Sequence, residues 1–213
     1  MSLRYYVYLS NAKVDMLLAQ VDPGFARRRT TEVSVNLPGV GARRGVDADP
    51  DRVSRLERVV RYLEDHGDLG TVDEPGQYFW GLLPMRWGRA AAPEPGPVYF
   101  GGRTELTIVC LGGSASHLIG AAAGSAPGYS QLPMLLAGLA DPDSDVDEES
   151  LDQADEAALA AVHQAGARLR GPAQNMEFVA KRLLSGPSPY PEIDQRDDMT
   201  VLLGSPLYVA LAD

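Results

Sequence analysis

The chain predicts an α+β fold: residues 1–213 read as one domain, a mainly antiparallel or mixed sheet with helices packed on it. Three observations point there. The N-terminal third alternates strand, helix, strand, helix. From Gly70 to Ala123 the text breaks into short apolar runs cut by glycine and proline, the grammar of a meander. Helical periodicity returns after residue 130, and the chain closes on two apolar runs.

Each element has a local reason. "RYYVYLS" (4–10) is rich in aromatic and β-branched residues and predicts a strand. Ser10 or Asn11 then caps a helix carrying Val14, Leu17, Leu18 and Val21 at i, i+3, i+4, i+7, which Asp22-Pro23-Gly24 ends. "TEVSVNL" (31–37) alternates as a second strand. Residues 51–65 predict a helix with Val53, Leu56, Val59, Val60 and Leu63 on one face and Arg55, Glu57, Arg58 and Arg61 in water, stopped by Gly67. "QYFWGLL", "MRWGR", "PVYFGG", "TELTIVCLGG" and "SHLIGAA" predict the antiparallel meander, with 90–97 as a connecting loop. Helices are expected over 131–139, about 150–169, and 173–185. The last starts after Pro172 and carries Met176, Val179, Leu183 and Leu184 as its apolar stripe. Residues 141–150 and 186–198 read as exposed loops. "MTVLLGSPLYVALA" predicts a hairpin around Gly204-Ser205-Pro206. "YYVYL" and "LYVALA" are apolar on both faces, which puts both near the middle of the sheet and pairs them with each other.

Composition bounds the function. A chain of 213 residues buries enough surface to fold without staples. With one cysteine, Cys110, it forms no intramolecular disulfide and no cysteine metal cluster, and Cys110 reads as a small core residue. There is no N-terminal leader-like apolar stretch and no apolar run near 18 residues, so a soluble cytoplasmic protein without a membrane partner is expected. A formal charge of −10 opposes general nucleic-acid binding. That charge is uneven: residues 1–60 carry ten Lys/Arg against seven Asp/Glu, so the N-terminal third is the basic part. Arg27-Arg28-Arg29 and Arg43-Arg44, flanking 32–37, read as solvated loop ends, with an anionic ligand held there as the alternative.

The stretch "TIVCLGGSASHLIGAA" (107–122) runs from a β-branched segment into Gly112-Gly113-Ser114 and on to His117. A phosphate-cradling turn needs such glycines between a strand and a helix N-terminus. "SHLIGAAAG" starts a helix poorly, so a hairpin tip at 112–117 is the expected structure and an anion nest at Gly112 and Gly113 the alternative. Across such a turn Ser114 could meet His117, the pair that nucleophilic catalysis would use. Arg86 in "LPMRWGR" is a candidate anion clamp beside Trp87, with Arg86 and Gly88 on one strand face and Met85 and Trp87 on the other. Lys13 and Asp15 open the first helix. Lys13 is one of only two lysines against seventeen arginines, and its amine is a candidate for chemistry or charge recognition. Tyr5, Tyr6 and Tyr8 read as core phenols, His66 as a helix-end cation, and His163 as exposed on an Ala-rich helix. "DPDSDVDEESLD" (141–152) spaces carboxylates like a calcium loop but lacks the glycine at its sixth position, and it reads as a solvated acidic loop. His66, His117 and His163 have no metal-ligand spacing, so neither a metal nor another cofactor is expected.

Several blocks together, "YYVYLSNAKVDML", "GTVDEPGQYFWGLLPMRWG", "VYFGG", "CLGGSASHLIGA" and "SPLYVALAD", resemble a family of uncharacterised small acidic proteins from Streptomyces and related actinobacteria. An arginine-rich, lysine-poor composition agrees with a high-GC source. The resemblance spans nearly the whole chain and implies no activity. It implies that Lys13, Asp15, Arg86, Trp87, Ser114 and His117 lie in recurring blocks, while 141–156 and 187–198 lie outside them.

These residues favour a ligand-binding or sensor domain for a small anionic molecule, a nucleotide among them. One alternative is a hydrolase- or transferase-type enzyme with His117 as general base and Ser114, Lys13 or Asp15 assisting. Another is a protein-interaction module or homodimer without a small-molecule site.

Overall fold

A computed structural model describes residues 4–22, 24, 50–89, 96–120, 151–194, 196 and 198–212. Its contacts divide the chain into two compact units: Met1–Leu9 with Asp68–Asp213, and Ser10–Gly67.

The larger unit is a mixed sheet with helices, an α+β arrangement. Its strands are β1 (Tyr5–Leu9), β2 (Leu69–Thr71), β3 (Tyr78–Arg89), β4 (Pro97–Arg103), β5 (Thr107–Ser114), β6 (Gln174–Pro187) and β7 (Thr200–Leu211). β3, β4 and β5 form the expected antiparallel meander. β5 runs parallel to β7, β7 antiparallel to β6, and β6 antiparallel to β3, so five strands close into a barrel. Closure removes the two free edges an open sheet would carry. β6 occupies one edge of β7 along its whole length. The other edge serves β5 at Thr200–Gly204 and β1 at Tyr208–Leu211. The expected pairing of the terminal runs is therefore present, as Tyr5↔Leu211 through Leu9↔Tyr208, although β1 ends the strand path rather than lying at its middle.

Strand alternation fills two cores. Inward residues Tyr8, Phe79, Met85, Phe100, Leu111, Met176, Phe178 and Leu202 are fully buried. Each such side chain contributes roughly 1.5–3 kcal/mol relative to leaving it in water. Outward residues Tyr99, Ile108, Cys110, Val201 and Leu203 meet Leu159, Ala161 and Val162 of the helix Leu151–Arg168. Burial pushes the Cys110 thiol up to about 12, consistent with its reading as a core residue.

The structure departs from expectation at three elements of the sheet. Residues 173–185 are not a helix but most of β6. Met176, Val179, Leu183 and Leu184 fit a helical period, yet Met176, Phe178 and Ala180 also alternate. With a strand available on each side, ladder pairing with β3 and β7 decides between the two periods. "MTVLLGSPLYVALA" is one strand rather than a hairpin. Its Gly204-Ser205-Pro206 lies where β7 passes from β5 to β1, next to a register shift against β6. Glycine is needed at 204 because a Cβ there would stand 2.5 Å from Phe79 Cζ inside the barrel. Finally, Gly112-Gly113 is neither a hairpin tip nor an anion nest. Both glycines are extended within β5, paired with Tyr99 and Val98, and a short 3-10 turn, Ala115–His117, follows the strand.

The segment expected as an exposed loop at 186–198 carries a one-turn helix, Pro191–Asp194, and is tied to the Leu151–Arg168 helix. Strand 31–37, helix 131–139 and loop 141–150 lie outside the described residues.

The smaller unit packs α1 (Asn11–Val21) against α2 (Pro50–Asp65). Val14, Leu17 and Leu18 of α1 and Leu56, Val59 and Leu63 of α2 are buried, as their spacing predicts. Arg55 departs from its expected place in water: it is 5% exposed and paired with Asp15. Asp15 on α1 stays half exposed and meets the guanidinium from the solvent side, because a buried guanidinium needs a carboxylate.

Candidate functional site at one end of the barrel

The inward row Trp87–Phe100–Leu111 crosses β3, β4 and β5, and the next row toward the rim is Arg89–Val98–Gly113. Three strands at about 4.8 Å spacing bring Arg89 within roughly 10 Å of Gly113 across the backbone. Tyr8 from β1 lays its ring over Gly113. A Cβ at 113 would stand 2.7 Å from Tyr8 Cζ, so only glycine admits the ring. The Tyr8 ring meets Phe100 edge-on at 6.0 Å and His117 edge-on at 5.7 Å. Trp87 stacks near-parallel to Phe100 at 6.0 Å and is 37% exposed, so its indole forms part of the outer surface at this end.

Polar groups collect at the same rim. Ser114 caps the 3-10 turn: its Oγ accepts from Ser116 N–H at 3.3 Å and shares a hydrogen bond with Ser116 Oγ at 2.8 Å. His117 ends that turn, half-buried. An apolar barrel end that carries an indole, an imidazole and two hydroxyls, with Arg89 at the next inward register position after Trp87, offers the mix of surfaces small-molecule sites use.

Of the residues singled out in the sequence, Trp87, Gly113, Ser114 and His117 come together here. Gly112 faces the opposite way, beside Tyr99 on the side of the Leu151–Arg168 helix. Arg86 also lies on the outer face, where its Nε donates to the Gly171 carbonyl at 3.0 Å. Lys13 and Asp15 belong to the smaller unit. Asp15 is occupied by Arg55, and burial lowers the Lys13 ammonium to about 8.

Sequence pattern did not mark Tyr8, Arg89 or Ser116 as site residues. Arg89 was within reach, because counting by twos from buried Met85 arrives at Trp87 and then Arg89, whereas Arg86 falls on the other face. A second polar cluster was also hidden. His163 is not exposed: its Nε2 lies 3.0 Å from Asp194 Oδ1, and Asp194 is buried. Ser188 Oγ donates to Asp194 Oδ2 at 2.5 Å, and Gln164 Nε2 donates to Tyr190 Oη at 2.9 Å. Burial pushes the Asp194 carboxyl up, but the bonds from Ser188 and His163, with the charges of His163 and Arg103, outweigh it and hold it below the usual range. Nothing in an Ala-rich helix announces such a partner, which comes from 31 residues away.

Among the described residues no cluster of three or more His, Cys, Asp or Glu is placed to hold a metal ion. No described helix is long and apolar enough to cross a membrane. No match is found among curated proteins, and none among solved structures. A family profile does match residues 4–213, across both units. The chain belongs to that family, the family of unknown function DUF7019.

Proposed function

We propose that this chain is a ligand-binding or sensor domain for a small anionic molecule with a flat apolar part, seated at the rimmed end of the barrel. A nucleotide has that chemistry. One observation carries the reading: the inward register of β3, β4 and β5 puts Trp87 and Arg89 on the same barrel end as Gly113, Ser114 and His117. In this reading the indole takes the flat part by stacking, Arg89 and His117 take the negative charge, and the Ser114–Ser116 pair supplies hydroxyls. Arg86 takes no part.

The test is a thermal-shift screen of nucleotides, phosphosugars and acyl compounds, with calorimetry on each hit. A hit is expected to lose at least tenfold in affinity in Trp87→Ala, Arg89→Ala and His117→Ala and to keep it in Arg86→Ala. A hit abolished by Arg86→Ala and untouched by the other three would overturn the placement. The enzyme reading, with His117 as general base and Ser114 assisting, uses the same rim. Turnover of a hit, lost in His117→Ala while binding survives, would select it. An interaction or homodimer role rests instead on Trp80 and Leu82, 45% and 55% exposed on the outer face of β3. Sedimentation showing a monomer at all concentrations removes the homodimer.

The recurring blocks and composition support an actinobacterial family, and the lone buried cysteine agrees with a cytoplasmic protein. One family profile over both units supports treating residues 1–213 as one domain.

A further inference from the structure

The first turn of α1 presents a second feature, independent of the barrel end. Ser10 occupies the N-cap position of this 11-residue helix, yet its side chain makes no capping bond. An N-cap serine normally turns its oxygen onto the N–H of the second or third helical residue. Here the backbone at Ser10 sits at φ −85°, ψ 87°, away from the extended conformation typical of that bond. Its hydroxyl is fully buried and has no hydrogen-bond partner among the described residues. A buried hydroxyl left without a partner costs about 1–3 kcal/mol, so such groups are rare without a reason.

The surroundings specify what would satisfy it. The helical ladder begins with Val14 N–H donating to the Ser10 carbonyl at 3.1 Å, so the N–H groups of Asn11 and Ala12 precede it. Those groups and the helix dipole favour negative charge. No acidic side chain stands in this first turn, and Asp15, the next carboxylate along, is paired with Arg55. Lys13 lies in the same turn, where burial weakens its hold on its proton.

We propose that the N-terminal turn of α1 is an oxyanion site, in which Ser10 Oγ–H, the leading N–H groups and the Lys13 ammonium hold one phosphoryl or carboxylate group. The proposal concerns the smaller unit alone, so it stands or falls separately from the barrel-end reading. No covalent step is involved.

The test uses the full chain and two probes, sulfate for the phosphoryl class and acetate for the carboxylate class. Proton–nitrogen NMR titrations of the wild type are expected to show saturable shifts concentrated at the amides of Asn11, Ala12 and Lys13. The tighter probe identifies the ligand class. Ser10→Ala and Lys13→Met are each expected to weaken that probe at least tenfold and to abolish its thermal stabilisation. Shifts that never saturate, or that spread over surface arginines while the first turn stays still, would overturn the site without recourse to a variant. An equal rise in Tm for Ser10→Ala with and without sulfate would also overturn it, because the hydroxyl is then a packing defect.

Discussion

Replacing Gly113 by alanine tests the geometry on which the barrel end depends. The new Cβ would stand 2.7 Å from Tyr8 Cζ and 3.0 Å from Cε2, where ordinary contact begins at 3.4 Å. The phenolic oxygen of Tyr8 comes closer still, so the ring must retreat by about an ångström. It has nowhere to go, since Tyr8 is fully buried with Phe100 on one side and His117 on another. Overpacking of this kind costs roughly 1–3 kcal/mol. Removing a glycine from an extended segment returns roughly 0.5–1 kcal/mol, because the unfolded chain has fewer states to lose. Position 113 is not among the glycines with positive φ, so backbone strain adds nothing. The net loss is about 1–2 kcal/mol, or roughly 2–8 °C in Tm for a chain of this size. Differential scanning calorimetry measures it, with Gly166→Ala as the contrast. A Cβ at Gly166 meets nothing within 4 Å inside the Leu151–Arg168 helix, so that change is expected to stabilise by roughly 0.5–1 kcal/mol. In a double-mutant cycle, Tyr8→Leu is expected to relieve part of the Gly113→Ala cost. If Gly113→Ala instead behaves like Gly166→Ala, or adds to Tyr8→Leu without coupling, then Tyr8 does not rest on Gly113 and the rim is built differently.

Four further outcomes are expected. Asp15→Asn removes the carboxylate that meets the buried Arg55 guanidinium; with Asp15 half exposed, it is expected to lower stability by about 1 kcal/mol by denaturant unfolding, and Arg55→Met is expected to be milder. The Lys13 pKa is about 8 when folded against 10.5 unperturbed, so the unfolded chain holds more protons between those values. Stability therefore rises with pH across that window, by at most about 3 kcal/mol, and Lys13→Met is expected to flatten the rise. The lowered Asp194 pKa works at the other end of the scale: its contribution is present above the ordinary carboxylate pKa of about 3.9 and is lost as pH falls below it, a limb that Asp194→Asn is expected to remove from an acid-unfolding curve. Cys110, buried with its thiol pushed up to about 12, is expected to react with a thiol reagent only at the rate of unfolding, so fast labelling of the native chain would contradict its place under the helix.

Local pattern was enough wherever one period stood without a rival. The α1 face at Val14, Leu17 and Leu18, the α2 face at Leu56, Val59 and Leu63, the β3–β4–β5 meander and the pairing of the two terminal runs follow from residue spacing, because a repeat of 3.6 or 2 tells which side chains can be buried together. The α+β class followed from their order. Tertiary structure decided the rest. Residues 174–187 satisfy both periods, and only the presence of β3 and β7 on either side makes them a strand. Whether Arg86 or Arg89 faces the barrel depends on which face of β3 turns inward, and Gly113 yields its space to a ring 105 residues earlier in the chain. Arg55 with Asp15 and His163 with Asp194 are partners separated by 40 and 31 residues. A one-dimensional pattern reports how polar a residue is, but a buried charge is stabilised by whatever the fold sets beside it, and that neighbour is chosen by chain closure rather than by spacing.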